Sequence, residues 1–272
     1  QYPNGERTSE TLGADANIPE RIHQFSQQFE SNDYPFKFIS NGIFGYIAHD
    51  AVEHFENLEL NQEKEGLDIP EIFYAVYQNI IAISLFNHEA HLFSHVYDGK
   101  HNIETIEQLV EAKNSTRFSF EKVGDKTSNL TDEEYLKFVE QGKQHCFRGD
   151  VFQLVLSRRF SQKFKGDEFN VYRTLRSINP SPYLFFFDYG DFKIFGSSPE
   201  AQIIVEEGKA EIHPIAGTFK RTGNDEQDKQ SALELAKDPK ENSEHVMLVD
   251  LARNDLSRNG SNVIVEKNRE IQ

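Results

Sequence analysis

The chain has 272 residues, which is enough for one large domain or two smaller ones, and its formal net charge is −16. This excess of negative charge argues against binding to nucleic acid or to anionic membrane surfaces. No apolar run is long enough for a membrane span, and the single cysteine, Cys146, cannot form a disulfide within the chain. These features predict a cytoplasmic protein with Cys146 as a small buried side chain.

The amino-terminal part is predicted to contain little regular structure. Residues 1–17 are polar and lack periodicity, whereas 18–30 can form a short amphipathic helix. We therefore divide the chain into an arm, 1–41, and a domain, 42–272. The chain opens without a methionine and stops at Gln272, directly after a strand-like run and a charged turn, so both ends are expected to be cut from a longer protein.

The domain combines predicted antiparallel hairpins with helices that do not follow a regular βαβ alternation. The predicted strands are 44–47, two long strands across 72–97, then 151–160, 183–189 with 192–197, and 203–207 with 209–215. The predicted helices begin at about Asp50, Ile103, Thr131, Asp167 or Asn170, Asn224 and Asp238. This order of elements predicts an α+β fold with a large antiparallel sheet.

The segment from Asp238 to Gly260 combines a helix start with closely spaced acids. Asp238 can cap the helix, and Pro239 suits its first position. Glu241 and Glu244 are three residues apart, so their carboxylates project from one face and repel each other. Mg²⁺ would remove that repulsion because it prefers oxygen ligands, although a solvated acidic first turn that favours the helix dipole is the alternative.

The later part of the same helix is predicted to be buried, because its apolar residues are too many for one narrow stripe. Within it, Asp250, Asn254 and Asp255 are interpreted as a structural network around Arg253 as a buried cation. His245 is interpreted as a hydrogen-bonded helix residue rather than a metal ligand.

Three short stretches place functional groups in or directly after predicted strands. Gln153 lies within an apolar strand, where its amide can contact a ligand or make a cross-strand hydrogen bond. Glu200 follows Pro199 at a strand end, a position that suits a general acid or a helix-start acid. The run 216–218 exposes backbone N–H groups that could receive a ligand carboxylate.

Five ordered motifs together resemble the chorismate-utilising enzymes, with the greatest likeness to the large subunit of anthranilate synthase. The motifs are GDVFQLVLSRRF, NPSPYLFFF, GSSPEAQ, HPIAGTFKR and ENSEHVMLVDLARNDLSR. The resemblance runs from about Gly42 to the end of the chain. It implies a sandwich of two large antiparallel sheets flanked by helices, here incomplete. It also implies Mg²⁺-dependent amination of chorismate in tryptophan biosynthesis, with ammonia from a glutamine amidotransferase subunit.

The resemblance assigns roles to individual residues. Glu244 would bind Mg²⁺ directly and Glu241 through water, while Glu200 would be the general acid. The substrate-binding residues would be Gln153, Ala216, Gly217 and Thr218. The NPSPY motif, with Pro182 and Tyr183, would form one side of a feedback-inhibitor site. Because further site residues of the family would lie beyond Gln272, the chain by itself is expected to be inactive.

Two other functions remain open at this stage. Aminodeoxychorismate synthases share these motifs but commonly carry a lysine where this chain has Ala216, so the resemblance favours anthranilate as the product. A non-catalytic binding module, a truncated homologue that keeps only a partner surface, is the alternative from another class.

Overall fold

The structure, a computed structural model, describes residues 2, 4–13, 16–30, 39–60, 67–112 and 118–270. It groups the chain into two compact units, 1–117 and 118–272. The predicted arm, 1–41, falls partly outside the described residues, and its boundary at residue 42 stays a prediction.

The described residues of the first unit form two antiparallel strand pairs and three short helical segments. Its elements are helix α1 (Ile18–Ser26), strand β1 (Phe44–Ile47), a 3₁₀ helix (His49–His54), strands β2 (Ile72–Ala75), β3 (Asn79–Ser84) and β4 (Glu89–Ser94), and helix α2 (Ile103–Glu111). Strand β1 pairs with β2, and β3 pairs with β4. Gly45 of β1 lies so close to the backbone of Phe73 that a Cβ would overlap its carbonyl oxygen.

The described part of the second unit contains three antiparallel strand pairs and four helices. Its elements are β5 (Phe120–Ser128), α3 (Asp132–Arg148), β6 (Phe160–Gly166), α4 (Phe169–Ile178), β7 (Tyr183–Asp188), β8 (Lys193–Ser198), β9 (Ile204–Glu206), β10 (Lys209–Glu211), α5 (Asp225–Lys237) and α6 (Pro239–Asn259). The pairs are β5 with β6, β7 with β8, and β9 with β10. None of the described helices in either unit is long and apolar enough to cross a membrane.

Local sequence signals explain where the helices of the second unit begin and end. The side chain of Thr131 accepts a hydrogen bond from the N–H of Glu134, and the carboxylate of Glu134 accepts one from the N–H of Thr131. Gly149 ends α3 at φ 77°, a left-handed conformation that suits glycine. Asp238 caps α6 by accepting hydrogen bonds from the N–H groups of Lys240 and Glu241.

Aromatic packing holds the β7–β8 hairpin against α4. The ring of Phe186 stacks on Phe195 across the strand pair at 5.6 Å between centroids and meets Phe169 of α4 edge-to-face at 5.0 Å. At the other end of α4, the carbonyl of Asn179 accepts a hydrogen bond of 2.6 Å from the hydroxyl of Ser197. This packing fixes the end of β8, from which the GSSPE motif continues.

The α+β class is confirmed, as are the helix starts and the hairpins at residues 183–198 and 204–211. The sheets differ from the expected sandwich, because the described strands form five separate two-stranded sheets. The two long strands predicted across 72–97 are three shorter ones. The strand predicted over 151–160 is wrong, since regular pairing begins only at Phe160 and the segment before it has no strand partner.

Three predictions about burial are also wrong. Helix α6 contains no buried residue, and Val246 and Leu251 are each about half exposed. Arg253 is exposed and lies 3.7 Å from Asp250, one turn away, so it is not a buried cation. Cys146 is exposed near the carboxyl end of α3.

Candidate functional site

An open depression with a volume of about 440 Å³ lies between the first two turns of α6 and the segment after α3. Glu244 and Gln153, both predicted as site residues, are among the residues that line it. The α6 side is lined by residues at positions i, i+3, i+4 and i+7, which share one helix face. The lining residues are Cys146, Phe152, Gln153, Leu154, Lys240, Ser243, Glu244 and Met247. Folding therefore brings a carboxylate and an amide to one surface from positions 91 residues apart in the sequence.

The second acid of the pair, Glu241, faces the HPIAGT loop. The Glu241 carboxylate lies so close to Gly217 that a Cβ at that position would overlap it, and the carboxylate would have to move. The side chain of Glu241 is 21% exposed, and its other oxygen lies 3.5 Å from the ammonium of Lys240. Ala216, next to this contact, is half-buried, whereas Thr218 is exposed. The loop and the acidic turn of α6 thus form one continuous surface.

Glu200 reaches the same loop from the end of β8. Its carboxylate accepts a hydrogen bond of 3.4 Å from the N–H of Ile215, directly before Ala216. The hydroxyl of Ser198 donates to the carbonyl of Glu200 at 2.9 Å and orients the turn. Glu200 is exposed, so a ligand that touches 215–218 has access to its carboxylate.

Ion pairs hold the β9–β10 hairpin that leads into the loop. Lys209 lies 2.6 Å from Glu211 and 2.8 Å from Glu266, which follows α6 in the chain. Hydrogen bonding to both carboxylates raises the pKa of Lys209, and the hydrogen bond from Lys209 lowers the pKa of Glu211. His213 also contacts Glu211, at 3.2 Å. These contacts connect the start of the HPIAGT loop to the segment beyond α6.

The predicted inhibitor-site residues lie apart from the depression. Tyr183 opens β7 opposite Ser198, two residues before Glu200, and both Pro182 and Tyr183 are exposed. His245, interpreted from the sequence as a hydrogen-bonded helix residue rather than a metal ligand, contacts the backbone carbonyl of Asn268. These positions leave Pro182 and Tyr183 outside the group formed by Glu200, the loop, Glu241, Glu244 and Gln153.

Sequence reasoning missed Lys240, Ser243 and the apolar lining residues. Lys240 and Met247 are separated from Glu244 by four and three residues, so the helical period alone could have placed them on its face. Among the described residues there is no group of three or more His, Cys, Asp or Glu side chains that could hold a metal ion. Glu241 and Glu244 supply two carboxylates at this surface, three residues apart on α6.

The sequence profile of the chorismate binding enzyme family matches residues 4–272 of the chain. Anthranilate synthase component 1 of Aquifex aeolicus is 36% identical over 233 residues, which cover 80% of this chain and 47% of that protein. The Acetivibrio thermocellus protein of the same name is 32% identical over 272 residues, covering 93% of this chain and 55% of its own length.

A solved structure is similar as well. The crystal structure of anthranilate synthase component I from Streptococcus pneumoniae TIGR4 superposes with a TM-score of 0.70 at 29% identity, covering 90% of this chain and 55% of that chain. The chain spans about half the length of the curated relatives it matches.

Proposed function

Since this chain belongs to the chorismate binding enzyme family, we propose that the protein carrying it is the large subunit of an anthranilate synthase. That enzyme converts chorismate and ammonia to anthranilate and pyruvate with Mg²⁺. The observation that supports this proposal best is the position of α6, which presents Glu241 to the HPIAGT loop and Glu244 to Gln153.

Glu244 and Glu241 are suitable ligands for Mg²⁺. They are three residues apart at the start of α6, both are half-buried, and the depression beside Glu244 is open. Mg²⁺ is usually bound by one or two carboxylates and keeps several waters, so a site of two acids with open space suits it. We propose that Glu244 binds the ion directly and Glu241 through water. When bound, the ion would neutralise the carboxylates of the substrate.

Glu200 is proposed as the general acid that protonates the departing hydroxyl of chorismate. Its carboxylate is held by the N–H of Ile215 and stays accessible beside the loop. The backbone N–H groups at 216–218 are proposed to receive a substrate carboxylate. An acid fixed beside the substrate loop can donate its proton without a large movement.

Gln153 and Ala216 support ammonia as the nucleophile. Family members that add water carry a lysine base where this chain has Gln153, and a neutral amide cannot take a proton from water in that way. Aminodeoxychorismate synthases commonly carry a nucleophilic lysine where this chain has Ala216, and a methyl group cannot attack the ring. These two positions favour anthranilate as the product.

The ammonia is proposed to come from glutamine through an amidotransferase subunit. The relatives are named as component 1 of their enzyme, which agrees with a second component. We place this reaction in the cytoplasm, where a free thiol such as Cys146 stays reduced.

The test is product analysis with chorismate, ammonium and Mg²⁺, applied to the protein that carries this chain. We expect anthranilate and pyruvate in equal amounts, separated by chromatography and lost when EDTA is added. An aminated product without pyruvate would identify an aminodeoxychorismate synthase instead. Absence of turnover with ammonium, with and without an added amidotransferase subunit, would favour the non-catalytic module.

A further inference from the structure

Lys240 is the one basic residue among the residues that line the depression. It is the second residue of α6, and its ammonium lies 3.5 Å from a carboxylate oxygen of Glu241. Its side chain is 83% exposed, whereas that of Glu241 is 21% exposed. The lysine is therefore the more solvent-exposed partner of this pair, while the carboxylate of Glu241 lies beside Gly217.

The position of the ammonium matters for any cation that binds at the two acids. Glu241 and Glu244 repel each other, and a positive charge near one of them reduces that repulsion. A divalent cation at the same acids would be repelled by the ammonium at close range. Lysine has a long flexible stem and a compact charge, so it can withdraw to solvent when another cation arrives.

We propose that Lys240 is an internal counter-ion that competes with the divalent cation for Glu241. This inference rests on the metal site of the proposed function. In the metal-free protein, Lys240 stabilises the acidic turn of α6. On metal binding, its ammonium leaves Glu241 and remains at the mouth of the depression, so it sets the metal concentration at which the site fills.

The charge at position 240 should therefore control metal affinity. We would titrate the protein that carries this chain with Mn²⁺ by electron paramagnetic resonance, and with Mg²⁺ by calorimetry, for the parent, Lys240→Arg, Lys240→Gln and Lys240→Glu. An exposed ion pair contributes up to about 1 kcal/mol, so Lys240→Gln should bind about two- to fivefold more tightly than the parent. Lys240→Glu should bind more tightly still, and Lys240→Arg should match the parent.

Two controls separate local charge from net charge. Lys237 is exposed in the last turn of α5 and does not line the depression, so Lys237→Gln should leave the Kd unchanged. Raising the ionic strength should reduce the difference in metal-ion Kd between Lys240→Gln and the parent, because salt screens exposed charges.

The outcomes distinguish this inference from the proposed function. If Glu244→Gln abolishes Mn²⁺ binding while the Lys240 variants bind with the parental Kd, or more weakly, the counter-ion role is overturned and the metal site stands. If the parent itself binds no Mn²⁺ at millimolar concentration, the metal site and the counter-ion role both fall.

Discussion

At the scale of single residues, the two acids of α6 have different surroundings although they are only three positions apart. Glu241 lies beside Gly217 and contacts Lys240, whereas Glu244 lines the open depression together with Gln153. A cation with several waters fits more readily beside Glu244. This difference agrees with the proposed direct role of Glu244 and the water-mediated role of Glu241.

We predict that Glu244→Gln abolishes Mg²⁺-dependent turnover in the protein that carries this chain and leaves the fold intact. Removing one carboxylate relieves the repulsion with Glu241, so the Tm should not fall much. Turnover and thermal melting would be measured beside Asp250→Asn, an exposed acid of the same helix that lies outside the depression. Activity with an unchanged Mg²⁺ requirement would refute the metal assignment.

For Glu200→Gln, we predict that kcat falls by about 10²- to 10⁴-fold while KM for chorismate changes little. The amide keeps the shape of the side chain and can still accept a hydrogen bond from Ile215, but it cannot donate a carboxylic proton. Steady-state kinetics would be compared with Glu206→Gln, an exposed acid on β9. A normal kcat with a raised KM would assign Glu200 to substrate binding instead.

Ala216→Lys tests the choice between the two closest functions. A lysine there adds bulk and positive charge beside Gly217, so anthranilate formation should be suppressed. A covalent adduct with the mass of chorismate less water is expected by intact mass spectrometry wherever the amine is neutral. Ala210→Lys, on the exposed part of β10, is the control. Anthranilate formation at the parental rate in Ala216→Lys would show that position 216 does not face the ring.

The acids of the site could be found from sequence, and the helical period places Lys240 on the face of Glu244, but the contact of Lys240 with Glu241 could not be predicted. Glu200, Glu241 and Glu244 stand in short motifs with a helix start or a strand end beside them, which local rules detect. Lys240 at an acidic helix start resembles an ordinary solvated residue, and its contact with Glu241 depends on where the Gly217 loop holds that carboxylate. Cys146 was placed wrongly for the same reason, since its exposure depends on neighbours distant in sequence.

At the scale of elements, regular structure follows local signals, whereas the irregular parts depend on pairing. The Thr131 capping box, the Asp238 cap and the β7–β8 hairpin each lie where the sequence predicts them. The run 151–160 has an apolar, strand-like composition, yet a strand needs a partner, and this segment finds one only from Phe160. Sequence composition alone does not reveal which apolar runs find a partner.

The ion pair between α4 and β8 should make the stability of the second unit depend on pH. Lys193 donates to Glu168 at 2.7 Å, which lowers the pKa of Glu168 from 4.5 and raises the pKa of Lys193 from 10.5. The contribution of Glu168 to the stability of the folded state is thus complete above pH 4.5 and is lost as pH falls through its lowered pKa. The contribution of Lys193 to that stability is complete below pH 10.5 and is lost as pH rises through its raised pKa.

We therefore expect Glu168→Gln to lower the Tm at pH 7, and to lower it less at a pH below the folded pKa of Glu168. Differential scanning calorimetry across this range would measure the difference from the parent. Glu121→Gln, an exposed acid on β5, should change the Tm little at any pH. If the difference in Tm between Glu168→Gln and the parent stays constant while Glu168 of the parent becomes protonated, the ion pair adds nothing to stability.

At the scale of the whole molecule, few of the apolar side chains that the structure describes are buried. Ala51 and Phe93 are the only buried apolar side chains among the described residues, while Phe86, Phe147 and Phe152 are almost fully exposed. Exposed apolar surface on this scale marks interaction surfaces or aggregation-prone faces.

The exposed surface gives a prediction for unfolding by urea, because the m-value scales with the surface that unfolding exposes. Because few of the described apolar side chains are buried in the folded chain, its m-value should be smaller than the value expected for 272 residues, and the folded chain should bind the apolar dye ANS. Equilibrium unfolding followed by circular dichroism, at several protein concentrations, would measure the m-value.

An m-value equal to that expected for 272 residues, without ANS binding, would mean that the exposed apolar side chains are covered in solution. A midpoint that rises with protein concentration would then identify a second copy of the chain as the cover, since association stabilises the folded state by mass action.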